Sequence, residues 1–326
     1  MNNFKKIGLT ALAASLVSVS AHAGALTASG SASMNSEGKT GKGLNAGTTF
    51  SMANSIMFTG SGELDNGLTA SISFELDQGV ANNSGNNFDN HSVSISSDSM
   101  GTLTLAGHGG SSATSAIDTT AAGDMWDNFD QLSNSLGITY ADGVVANGVG
   151  NNGILYTSPD LMDGLNVTLS YNPQGSGAAS ETGYGFNYTG VEGLSLSYAT
   201  SDVETGTATT SGDNTVIKVS YAYGPVTVSY SEMENEVAAA SNAADMVSES
   251  YAVSYTVSDE LSITYGSETH DQGSTAVDME IEGISAAYTS GGMTISAAMQ
   301  SMDDGDFATG TNNDIDYWAL GFSFAF

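Results

Sequence analysis

Period-two alternation, rather than helical periodicity, governs this chain from Gly24 onward. Leu165-Asn166-Val167-Thr168-Leu169-Ser170-Tyr171 alternates large apolar with small polar side chains, and Leu194–Tyr198, Val226–Tyr230 and Leu261–Tyr265 repeat the pattern. Successive side chains of a strand point to opposite faces, so each run is a strand with one greasy and one polar side. Before each lies another alternating run. The pairs from 183 to 198, 216 to 230, 251 to 265 and 284 to 299 turn at Val191-Glu192-Gly193, Tyr223-Gly224-Pro225, Ser258-Asp259-Glu260 and Ser290-Gly291-Gly292. The chain is therefore a string of hairpins, with short turns at one end and longer Gly/Asp/Asn/Thr segments at the other.

The alternation predicts about sixteen strands, at 25–35, 52–63, 68–77, 91–98, 102–108, 152–157, 165–171, 182–189, 194–200, 214–222, 225–232, 249–257, 261–268, 279–288, 293–300 and 315–326. An even number suits a single-chain barrel in a bilayer. Pro159, Pro173 and Pro225 all fall at strand ends, where a missing N–H breaks no ladder bond. The polar face is mostly Ser, Thr, Gly, Asn and Ala; the apolar face is Leu, Val, Ile, Phe and Tyr. A soluble sandwich would carry more Lys, Glu and Arg on its wet side. A membrane barrel instead turns its apolar face to lipid and its small polar face to an aqueous bore. The sheet must then close, because an open edge in hydrocarbon leaves unpaired backbone groups. The fold class predicted is all-β, a transmembrane antiparallel barrel.

Tyrosines fall near strand ends. Tyr156, Tyr188, Tyr221, Tyr255 and Tyr288 precede short turns, while Tyr171, Tyr198, Tyr230 and Tyr265 stand at the far ends of the following strands. Two aromatic girdles, one at each membrane–water interface, account for this placement. The last strand presents Trp318, Leu320, Phe322, Phe324 and Phe326 on one face. One strand is out of phase: Glu280 and Glu282 share parity with Ile284 and Tyr288, which requires either a bulge or carboxylates standing above the lipid. The first strand's candidate outer face, Leu26, Ala28, Gly30, Ala32 and Met34, is small enough to admit a neighbouring subunit.

Residues 1–23 read as a secretory signal peptide. Lys5 and Lys6 precede an apolar stretch from Ile7 to Val19, and Ala21-His22-Ala23 is a small-x-small cleavage site. Its removal leaves Lys39, Lys42 and Lys218 as the only basic residues beside 36 acids, since the chain has no Arg. Without a cationic surface, nucleic acid is excluded as a partner. The absence of Cys excludes disulfides, thiolate metal sites and Cys nucleophiles. His91, His108 and His270 lie in no nucleophile-elbow or metal-binding pattern, so the chain does not read as an enzyme. A secreted calcium-binding solenoid is the soluble rival, prompted by Asp303-Asp304-Gly305-Asp306, but no nonapeptide or EF-hand pattern supports it. No cofactor is called for; loop-bound Ca2+ is the one metal option left open.

The order and spacing of several motifs resemble the Gram-negative general porins, the alphaproteobacterial ones most closely. These are the signal peptide, the hairpin string, GTLTLAG at 101–107 before a long loop, YTSPDLMDGLNVTLSY at 156–171, and the ending YWALGFSFAF. The resemblance covers residues 24–326. It implies a homotrimer of sixteen-stranded, water-filled barrels in the outer membrane, surrounded by lipid and lipopolysaccharide. Such barrels admit small hydrophilic solutes and ions. It also implies that the third outer loop folds into the bore and sets its acids against a basic wall. The matching segment is roughly 109–150, with Asp118, Asp124, Asp127 and Asp130 as constriction carboxylates. The basic wall is missing: His108 stands where a related porin places an arginine, and Lys218 is the one lysine on a lumen face. The PEFGG-type loop motif is missing as well. Glu63, Glu75 and Glu268 share parity with lumen residues. Carboxylates in a pore with low-dielectric walls favour cations, so passive diffusion with cation preference is the expected activity. A substrate-selective porin, or a structural or adhesive barrel with no open channel, shares the same strand pattern.

Overall fold

The structure, a computed structural model, describes residues 26–41, 47–77, 88–117, 119–129, 151–173, 180–206, 211–238, 245–309 and 313–326. The 1–23 segment, Lys42, Asp118, Asp130 and the rest of the 109–150 loop beyond Phe129 lie outside them. Sixteen strands form one closed antiparallel barrel. They are β1 Thr27–Gly41, β2 Gly47–Glu63, β3 Thr69–Asp77, β4 His91–Ser97, β5 Gly101–His108, β6 Gly153–Thr157, β7 Leu165–Asn172 and β8 Ser180–Tyr188. The second half comprises β9 Leu194–Glu204, β10 Gly212–Tyr223, β11 Val226–Val237, β12 Met246–Thr256, β13 Leu261–Gln272, β14 Met279–Ser290, β15 Met293–Asp303 and β16 Ile315–Ala325. Every strand predicted from alternation is present. Most run further than predicted at the long-loop end, where the outward residues become Asp202, Glu204, Glu234, Glu236, Asp271 and Asp303 and the apolar signal stops.

Closure joins the two ends of the chain. β1 pairs with β16 from Ser31↔Ala325 to Gly41↔Ile315. The Gly30 N–H donates to Phe326 O at 2.7 Å, and the Phe326 N–H donates back to Gly30 O at 3.0 Å. The small outer face of β1 has an intramolecular use. A Cβ on Gly30 would sit 2.6 Å from the Phe326 ring, and one on Gly38 would sit 2.4 Å from the Trp318 indole. Phe326 and Trp318 thus pack closely against the first strand at two glycines, where a Cβ would crowd their rings.

The apolar faces point outward. Met34, Met52, Ile72, Val93, Leu105, Leu169, Val228, Val253, Ile284 and Met299 are all exposed. Tyr171, Tyr221, Tyr255, Tyr265 and Tyr288 are exposed outward too. Tyr156 lies between Leu103 and Leu169, and Tyr188 between Leu165 and Leu196. Tyr198 stacks beside Phe186, and Tyr230 lies 5.0 Å from Tyr251 between ring centroids. Tyr184 and Tyr251 are exposed as well.

The inner face, expected to be mostly small and polar, carries a large apolar sector. Met279 and Ile281 on β14, Met302 on β15, and Ile315 and Tyr317 on β16 are buried inside the barrel, packed with Met125 and Phe129 of the β5–β6 loop. Val216 on β10 and Met233 on β11 form a second small buried patch, against Ile117. This accounts for the out-of-phase strand. The β13–β14 and β14–β15 registers run without a shift, so there is no bulge. Glu280 and Glu282 point outward because their neighbours Met279 and Ile281 are needed inside.

Candidate functional site

The described part of the β5–β6 loop, residues 109–117 and 119–129, lies inside the barrel, and the inner wall holds it rung by rung. Inward positions are every second residue, so one small hydroxyl from each of several neighbouring strands can meet the loop at a similar height. The Ala113 N–H donates to Ser170 Oγ of β7 at 2.9 Å, and the Thr114 and Ser201 hydroxyls lie 3.1 Å apart on β9's side. Lys218 Nζ of β10 donates to Thr119 O at 2.6 Å. The Ala121 N–H donates to Ser231 Oγ of β11 at 2.8 Å, and the Ala122 N–H to Ser250 Oγ of β12 at 2.9 Å. Further along, Asn128 Nδ2 donates to Gln300 Oε1 of β15 at 2.9 Å. The Phe129 ring meets Tyr317 of β16 edge-on, with centroids 6.0 Å apart.

Between Ser250 and Gln300 stands Glu268 of β13, which takes three loop donors. Its Oε1 accepts from the Thr120 hydroxyl and from the Met125 N–H at 3.0 Å; its Oε2 accepts from the Trp126 N–H at 3.1 Å. Met125–Asn128 is a single 3-10 turn, whose first N–H groups have no partner within the turn. Glu268 satisfies two of them from across the bore. The turn is also braced locally: the Thr120 N–H donates to Asp124 Oδ1 at 2.8 Å, and the Asp124 N–H to Thr120 Oγ1 at 2.7 Å. Burial raises the Asp124 carboxyl above the ordinary aspartate range; nearby Glu268 adds to this, while the Thr120 hydrogen bonds oppose it.

Of the proposed constriction carboxylates, Asp124 is half-buried at the head of the 3-10 turn and Asp127 is exposed on it; Asp118 and Asp130 lie outside the described residues. Among the other lumen candidates, Glu63 is exposed at the short-turn end of β2. Glu75 accepts from Asn90 Nδ2 at 2.7 Å. His108 bonds through Nδ1 to the Asp89 carbonyl. Lys218 is engaged by the loop. Glu268 faces inward but is wholly buried under the loop rather than open to the bore. Lys39 places Nζ 5.6 Å from the Tyr317 ring centroid, on the same inner wall as Glu37, whose Oε2 accepts from the Tyr317 hydroxyl at 3.2 Å.

Sequence reasoning missed the serine rungs and the buried Ser248–His270–Glu268 line. Ser248 Oγ lies 2.5 Å from His270 Nδ1, and His270 Nε2 lies 3.6 Å from Glu268 Oε2. The residue types match a hydrolytic triad, yet the three are 1%, 0% and 0% exposed, so no substrate reaches the hydroxyl. The available signal for the rungs was Ser at matching inward positions of β7, β9, β11 and β12, inconspicuous among the many lumen serines. Among the described residues, no three His, Asp or Glu side chains converge as a metal cage.

A closed barrel with greasy exterior, hydroxyl-lined interior and a loop strapped across the inside is the architecture of a diffusion channel. The family model for Gram-negative porins matches residues 8–326, and the chain belongs to that family. It is a porin of the Gram-negative outer membrane, not an enzyme. No curated protein sequence matches it. Among solved structures, the anion-selective porin of Comamonas acidovorans is similar, at 18% identity and TM-score 0.66, covering 93% of this chain and 99% of that one. A variant of the Rh. blastica porin is similar at 19% identity and TM-score 0.64, covering 93% of this chain and 100% of the other. A porin structure refined at 1.8 Å shows 18% identity and TM-score 0.66 over 93% and 100% of the respective chains.

Proposed function

We propose that this porin passes small hydrophilic solutes and prefers cations. The carrying observation is charge placement: Asp124 and Asp127 sit on the strapped loop, the chain contains no Arg, and its two described lumen lysines are engaged by Thr119 O and the Tyr317 ring. The bore is therefore negative without a matching basic wall, which lowers the free energy of cations in transit. That a similar barrel is anion-selective fits this reading, because selectivity then resides in side chains rather than in the fold. Glu63 and Glu75 extend the negative lining towards the two mouths.

The same reading has the chain exported by cleavage after Ala23, the outward tyrosines seated at the two interfaces among lipid and lipopolysaccharide, and three copies joined near the small outer face of β1. Reversal potential across a planar bilayer in a KCl gradient tests the preference. Cation preference is the expected outcome; a potential of the opposite sign overturns it. Liposome swelling with sugars and amino acids of graded size separates general from substrate-selective diffusion, and absence of conductance would favour a structural barrel.

A further inference from the structure

We infer that the outer surface of β13–β16 carries a groove for a lipid with an ammonium headgroup, which stands between Glu282 and Asp316 while its chain lies over Ile284 and Met299. The inference goes beyond the channel reading and needs only the outward orientation of these strands. It starts from the out-of-phase strand. Burial of Met279 and Ile281 explains why Glu282 points outward, but gives it nothing to do there.

A groove of about 580 Å³ opens on the outside of the barrel across these four strands, within the roughly 300–1,000 Å³ range of small-molecule sites. Its lining changes character in one step. Tyr265, Ile284, Met299 and Trp318 are paired in register as a single exposed row. Two residues nearer the long loops, the next row presents Glu282, Ser301 and Asp316, also exposed. At about 3.4 Å per residue the rows stand about 7 Å apart, which separates a headgroup from the start of its chain. Below the apolar row, Ala286 and Ala297 pair with each other between Ile263 and Leu320. Small side chains on the two middle strands continue the groove as a furrow for the chain.

The polar end selects the headgroup. Ser301 of β15 lies between Glu282 of β14 and Asp316 of β16, with neighbouring strands about 4.8 Å apart. A primary ammonium has three N–H donors and no acceptor, and this row offers two carboxylates and a hydroxyl. The described lysines supply no such group, because Lys39 and Lys218 face the lumen. An anionic headgroup is repelled by both carboxylates. A second copy fits no better: among the described residues its outer surface has no lysine, and Glu280 and Asp303, paired one row higher, add to the repulsion.

Native mass spectrometry of the detergent-purified porin tests this, with phosphatidylethanolamine, phosphatidylcholine and phosphatidylglycerol of identical chains as probes. Phosphatidylethanolamine should be retained about tenfold over phosphatidylcholine, whose quaternary nitrogen has no N–H, since one hydrogen bond to a charged group is worth at least that factor. Phosphatidylglycerol should be retained least. Glu282→Gln with Asp316→Asn should erase the preference. Heat-modifiable gel migration and unchanged single-channel conductance show that this variant is still a folded channel. Equal retention of the three lipids by wild type overturns the inference, as does retention of phosphatidylglycerol that needs Ca2+ and disappears with EDTA. Adducts found only on dissociated protomers, and never on an intact oligomer, overturn it in favour of a second copy. Loss of conductance in wild type would instead sink the channel reading and leave the groove standing.

Discussion

At the scale of single residues, the chain's acidity is unevenly used. On the proposed cation preference Asp124 and Asp127 act on ions, whereas Glu268 accepts three hydrogen bonds from the loop. Neutralising Asp124 and Asp127 together should therefore move the KCl reversal potential towards zero. The same change at Asp303 and Asp304, at the rim end of β15, should leave it nearly unmoved. Asp124 also sets a pH dependence. Its carboxyl is raised, so it loses charge as pH falls at a value higher than an unperturbed aspartate would. Cation preference should begin to decline on that acidic limb before ordinary aspartates titrate, and Asp124→Asn should remove this early part of the curve. Sequence alone placed both residues in the bore segment but could not tell Glu268 from them. The porin resemblance puts the loop acids Asp124 and Asp127 inside and strand parity puts Glu268 there, and only the loop's path shows which one is covered.

Elements were legible where lipid imposes alternation, and illegible where it does not. All sixteen strands follow from a period-two pattern, because each spans an apolar medium that tolerates greasy side chains on one face only. The upper ends of β9, β11, β13 and β15 rise beyond that constraint, and their Asp and Glu residues hid the continuation. β14 shows the converse. Its phase was legible, but its meaning was not until Met279 and Ile281 were seen beneath Met125 and Phe129. The described part of the loop is thus anchored by apolar packing at Met125 and Phe129 and by hydroxyls between Ala113 and Ala122. Phe129, 2% exposed, should matter most, since truncating a buried Phe costs about 3–5 kcal/mol where the site cannot collapse. Phe129→Ala should leave barrel formation on heat-modified gels intact, because no strand contains it, but should produce a noisy open channel. Ser231→Ala with Ser250→Ala removes two neutral hydrogen bonds, each worth about 0.5–1.5 kcal/mol, and should be milder. A quiet Phe129→Ala channel would show that the hydroxyl track alone fixes the loop.

At the scale of the whole molecule, two sources of selectivity compete: the field of the entire acidic chain and the few carboxylates on the loop. Ionic strength separates them. Exposed charges along the rim and outer loops interact with a passing ion over a Debye length of about 10 Å at 0.1 M salt and about 3 Å at 1 M, so their contribution should fade across that range. Charges lodged in a narrow bore between low-dielectric walls are screened far less, because few counterions fit beside them. Asp124 is of the second kind, half-buried on a loop strapped to the wall; Glu204, Glu236 and Asp271, at the outward upper ends of their strands, are of the first. If the loop governs selectivity, the permeability ratio from reversal potentials at a fixed concentration gradient should persist when both compartments are raised towards 1 M. A ratio that collapses to unity at high salt would assign selectivity to the rim field. The strapped loop would then set only the size of what passes.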